Sequence, residues 1–99
     1  MESDWGLARL AECRTQIDDV DRKILALLNE RTRIVGEIGQ VKQTLTLPIY
    51  EPKREEQVFE NITSHNQGPM PNDAVKRVFE RIIDEMRTIQ KLRMQQGNK

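Results

Sequence analysis

The chain has a single cysteine, a single histidine and no net charge. With Cys13 alone, no disulfide can close within the chain and no metal site can rest on thiolates. His65 sits in the polar stretch SHNQGPMPN and reads as a surface loop residue, not a ligand or a base. Sixteen basic residues balance sixteen acidic ones. That balance argues against nucleic acid or an anionic membrane as the main partner, because both require a cationic excess. A local basic cluster can still hold a small anion. No run approaches the ~18 apolar residues of a membrane span. The start, MESDWG, is acidic and lacks an apolar core of the kind that marks export. A soluble, cytoplasmic protein is the expectation.

Ninety-nine residues make one domain, 1–99, with flexible ends expected over about 1–6 and 96–99. No strand signal, repeat or low-complexity segment is evident beyond a frayed tail at QQGNK. Between Leu7 and Leu45 there is no proline, and Leu10, Ile17, Val20, Ile24, Leu27, Ile34, Ile38, Val41 and Leu45 recur at steps of three, four and seven. That spacing predicts one very long helix. Gly36 and Gly39 lie inside it, where tight packing or mild bending is expected. Pro48 and Pro52 punctuate a short connection, and Pro52 suits the first position of a second helix whose Val58, Phe59 and Ile62 face inward. After the loop SHNQGPMPN a third helix starts at about Pro71, with Val75, Val78, Phe79, Ile82, Ile83, Met86 and Ile89 inward. The class is all-α.

A first helix of ~38 residues is ~57 Å long at 1.5 Å per residue. A compact chain of this length has a radius of gyration of only ~13 Å. The two shorter helices cannot cover so long an apolar stripe, so an obligate homodimer is expected, with a second copy burying it.

Cations interrupt the stripe. Arg31 and Lys42 are eleven positions apart, three turns with ~20° of drift, and so share a face at ~16 Å separation with Val35 and Ile38 as a floor. Burying a cation costs several kcal/mol unless an anion meets it. Gln90 intrudes on helix three in register with Ile83 and Met86, and Arg54 and Glu55 open helix two. Arg14 lies ~25 Å from Arg31 along the axis, on another face, so an antiparallel partner helix is needed to bring both to one ligand. Each residue alone has a plainer explanation. Arginine and lysine stems snorkel along helix edges, and Glu55 suits a helix N-terminus. Cys13, Met86 and Met94 read as packing or surface residues.

With these residues in place, the sequence resembles the all-helical, intertwined dimeric chorismate mutases, whose bacterial members are short three-helix chains. The likeness runs from about Leu7 to Gln95, carried by CRTQIDDVDRKILALLNERTRIVGEIGQVK, PIYEPKREEQV and FERIIDEMRTIQ. It implies that Arg14 is contributed across the dimer and that Arg31 binds a substrate carboxylate within the chain. Lys42 and Gln90 are implied to meet the substrate's ether oxygen. Glu51, Arg54 and Glu55 fit an acidic–x–x–Arg–Glu pattern in which the glutamate meets the substrate hydroxyl. Two positions depart from the pattern: Met86 stands where a relative has a small hydroxyl residue, and Glu51 replaces a shorter acid.

The implied reaction is the rearrangement of chorismate, a dicarboxylate, to prephenate by a pericyclic [3,3] shift. It needs no proton transfer, nucleophile, metal or cofactor. Catalysis then comes from holding the flexible arm in a compact chair and from stabilising charge that develops as the C–O bond breaks. Two other readings stand beside it: an isochorismate-pyruvate lyase on the same scaffold, and a non-catalytic helical dimerisation or regulatory module. The first differs in its products. The second does not explain why Arg31, Lys42 and Gln90 face inward.

Overall fold

Three helices make up the computed structural model, which describes residues 2–97: α1 (Glu2–Leu45), α2 (Pro52–His65) and α3 (Asn72–Gly97). The all-α class is as expected, with no strand among the described residues. Among them, too, no helix is long and apolar enough to cross a membrane. The expectation of flexible ends falls partly on residues 1, 98 and 99, outside the described residues.

The chain divides after Ile34 into two compact units. The first consists of α1 alone, up to Ile34. Its helix starts at Glu2, ahead of the first apolar repeat, and Asp4 adds a carboxylate near the positive end of the helix dipole. Surface pairs trim its flanks, Arg9 with Glu12 at 2.9 Å and Arg22 with Asp19 at 2.7 Å, each worth little on its own. The periodic residues Leu10, Ile17, Val20, Ile24, Leu27 and Ile34 are 45–63% exposed in the single chain.

The second unit holds the rest of α1, then α2 and α3. Here α1 ends at Leu45, where the apolar spacing and the following prolines place its end, and the stop itself is made by backbone geometry. Thr46 takes a left-handed conformation, φ 59°. Its N–H donates to the Gln43 carbonyl at 3.2 Å, and the Leu47 N–H donates to the Lys42 carbonyl at 2.8 Å. This pair of bonds closes a Schellman-type cap, usually built on glycine. The chain reverses there and reaches α2 by a connection of six residues, 46–51.

Pro52 occupies the start of α2, as its missing N–H allows, and the Glu55 N–H makes a first helical bond to the Glu51 carbonyl at 3.1 Å. The helix runs through Ser64 to His65, so His65 is a helix-end residue and not a loop residue; its Nδ1 lies 2.7 Å from the Asn61 carbonyl oxygen. The following loop is gathered by Asn66. Its side-chain amide donates to the Met70 carbonyl at 2.8 Å and to Asn72 Oδ1 at 2.7 Å, while its oxygen accepts the Gly68 N–H at 3.0 Å.

Helices α2 and α3 pack together. Val75, Ile83 and Met86 of α3 are buried, and Phe79, Ile82 and Ile89 are half-buried beside them. Val58, Phe59 and Ile62 of α2 are half-buried. Val78, expected inward, is instead 45% exposed. Residues 35–45 of α1 meet α3 through long side chains. The Arg93 guanidinium fills the space a Cβ would take at Gly36, and the Gln90 side chain lies 3.7 Å from that position at Gly39. The tight packing expected is present at Gly36, whereas Gly39 makes an ordinary van der Waals contact, both with side chains from α3. Past Met94, α3 continues through Gln95 and Gln96, good helix formers, to Gly97, where the apolar spacing suggests fraying.

Candidate active site

Lys42 lies in the last turn of α1, where a cation suits the negative end of the helix dipole. The reversal at Thr46 folds the connection back over it. As a result its ammonium donates to the Ile49 carbonyl at 3.0 Å and pairs with Glu51 Oε1 at 2.8 Å. The lysine side chain is only 14% exposed. Glu51 is the N-cap residue of α2, yet its carboxylate makes no capping bond. Its longer side chain reaches across to the lysine instead. An ammonium has three N–H donors, so two of them aim the third.

Gln90 is fixed in the same manner. Its Nε2 donates to the Val35 carbonyl at 3.3 Å, using one of two amide hydrogens, and its stem lies along Gly39. Ile83 and Met86, both buried, lie on the same side of α3. Val35 is half-buried and Ile38 is exposed, so the apolar floor is open on one side in the single chain.

Glu55, in the first turn of α2, is held by a side chain absent from the sequence-derived set. Arg87 of α3 donates from Nη2 to Glu55 Oε2. The arginine's guanidinium carbon stacks 4.7 Å from the centre of the Tyr50 ring, and Nη1 stands 3.9 Å from Asp84 Oδ1. Both the Arg87 and Glu55 side chains are 25% exposed. Arg54, beside Glu55, is exposed.

The structure thus brings Lys42, Glu51, Glu55, Gln90, Val35 and Ile83 into one unit, and it adds Arg87, Tyr50 and the Ile49 carbonyl. Arg14 and Arg31 belong to the other unit. Arg14 is exposed, whereas Arg31 is half-buried and engaged in an interaction. Arg87 has one legible sign in the sequence. It stands four residues after Ile83 and three before Gln90, a further charge on a candidate face. Among the described residues no group of three or more His, Cys, Asp or Glu side chains is placed to hold a metal ion.

Comparison with known proteins gives this geometry a context. A family model described as chorismate mutase type II matches residues 13–91. The chain is 36% identical over 89 residues to a bifunctional chorismate mutase/prephenate dehydratase of Aquifex aeolicus, covering 86% of this chain and 25% of that protein. It is 33% identical over 89 residues to a chorismate mutase of Methanocaldococcus jannaschii, covering 86% of this chain and 87% of that one. The chain therefore spans about a quarter of the bifunctional relative and most of the monofunctional one. Among solved structures, form II of the chorismate mutase from Thermus thermophilus superposes with a TM-score of 0.82 at 38% identity, covering 84% of this chain and 94% of that one.

Proposed function

The chain belongs to the chorismate mutase type II family, and on that premise we propose that it rearranges chorismate to prephenate in aromatic amino-acid biosynthesis. The observation that carries the reading is that the matched span, residues 13–91, takes in every candidate residue from Arg14 to Gln90.

The substrate is a small dicarboxylate, and guanidinium forks suit carboxylates. Arg31, with Arg14 of the partner subunit, holds these groups, and Arg54 adds charge at the start of α2. Their task is to keep the enolpyruvyl arm folded over the ring, in reach of the bond it will form. As the C–O bond lengthens, negative charge gathers on the ether oxygen. The third Lys42 hydrogen and the second Gln90 hydrogen donate to it, and their strength grows toward the transition state. Glu55 accepts from the ring hydroxyl. Ile83, Met86, Val35 and Ile38 supply the apolar walls, which keep water from competing for those donors.

A second copy completes the site and covers the apolar stripe of α1. The exposure of Leu10, Ile17, Val20, Ile24, Leu27 and Ile34 supports this homodimer, since monomers rarely leave so long an apolar row in water. A cytoplasmic setting suits a doubly charged substrate, which does not cross a bilayer unaided.

The test is consumption of chorismate by the purified chain with identification of the product. Prephenate is the expected result. Salicylate and pyruvate from isochorismate point to the lyase, and no turnover with no rise in melting temperature points to a non-catalytic module.

A further inference from the structure

Arg87 is a half-buried cation of α3 that the reading above leaves without a task. Its surroundings are specific. Arg87 contacts Glu55 on α2, stacks on Tyr50 of the 46–51 connection at 4.7 Å, and lies 3.9 Å from Asp84 one turn back. A guanidinium within ~6 Å of a ring centre is attracted to the ring face, so Tyr50 limits where the fork can point. Asp84 limits it from a second side. The fork is therefore set before it meets Glu55, and it occupies Oε2 alone. A carboxylate has about four acceptor positions, so capacity for another donor remains.

The geometry points to Arg87 as a positioning residue that acts through Glu55. It fixes the rotamer of that carboxylate so that the remaining acceptor positions meet the substrate's ring hydroxyl. It also balances the Glu55 charge, which otherwise repels an incoming dicarboxylate in a half-buried site where charges are weakly screened. The inference rests on the assignment of Glu55 to the hydroxyl. Lys42 follows the same design on the opposite sign of charge, with Glu51 and the Ile49 carbonyl as its guides. Both guides and Tyr50 belong to one short segment, 49–51, so the connection sets the cation of α1 and the cation of α3 together.

Arg87→Ala, Arg87→Lys, Glu55→Gln and the double variant Arg87→Ala/Glu55→Gln test this by steady-state kinetics on chorismate. Melting temperature and far-UV circular dichroism are followed in parallel. Loss of a charge-assisted contact of this depth corresponds to about 10- to 100-fold in kcat/KM for Arg87→Ala, with a clear share in a raised KM. Arg87→Lys restores part of it, because a lysine returns the charge without the fork or the stacking. In the Glu55→Gln background, removing Arg87 has less than about a threefold further effect. A purely structural ion pair lowers the melting temperature and leaves KM of the folded enzyme unchanged, which would overturn the inference. So would equal losses with and without Glu55. If Arg87→Ala does not fold, Arg87→Lys measured alone and combined with Glu55→Gln decides it by the same criterion. A wild-type chain inert toward chorismate overturns the functional reading itself, whereas an active wild type with an unaffected Arg87→Ala overturns this inference alone.

Discussion

The Lys42 side chain is only 14% exposed, and Glu51 and the Ile49 carbonyl face its ammonium. Those two partners also orient it. In the proposed mechanism Lys42 donates to developing charge, so Lys42→Ala should lower kcat by about 10²–10³, or about 3–4 kcal/mol of transition-state stabilisation. Steady-state rates at saturating chorismate measure this, and near-wild-type activity would remove the assignment. Residues of this kind are legible in the sequence because a polar side chain breaks an apolar repeat: Lys42, Arg31 and Gln90 all betray themselves that way. Arg87 shows only its place between Ile83 and Gln90, not its task. Its partners, Tyr50 and Glu55, lie on other elements, and no local pattern pairs residues so far apart in the chain.

The apolar spacing and the prolines locate the end of α1 and the start of α2, but not the conformation that makes each end. Pro52 marks the start of α2 because proline lacks an N–H and is tolerated in the first turn of a helix but not in its interior. The end of α1 is made by backbone conformation at Thr46, a β-branched residue with φ 59°, where glycine is the usual occupant. A non-glycine residue in that region is strained by roughly 1–2 kcal/mol. Thr46→Gly relieves the strain but loosens the unfolded chain, so a net stabilisation of about 0.5–1 kcal/mol is expected. Thermal unfolding at fixed protein concentration measures it, and a lower melting temperature would show that the strain is smaller than the entropic cost of glycine. The start of α1 lies several residues ahead of the position that apolar spacing indicates, since spacing cannot report a helical turn that carries no apolar repeat. The extension of α3 to Gly97 escapes for the same reason.

The all-helical class follows from the periodicity of three segments. The proposed homodimer rests on a mismatch of another kind, more apolar side chain on α1 than one chain of this size can bury. In the single chain that row stands exposed. The proposed second copy would cover the exposed row and would supply the arginine that the proposed site takes from outside the chain. Sedimentation of the purified protein at micromolar concentration should therefore show a dimer with no folded monomer.

Guanidinium and ammonium groups from two different subunits must cooperate on one substrate molecule if this account holds. The most direct test mixes two inactive variants, Arg14→Ala and Lys42→Ala, under conditions where subunit exchange is verified. Random pairing makes about half of the dimers hybrid, each with one whole site, so activity should return to about a quarter of the wild-type level. A mixture that exchanges subunits fully and stays inactive would contradict the account.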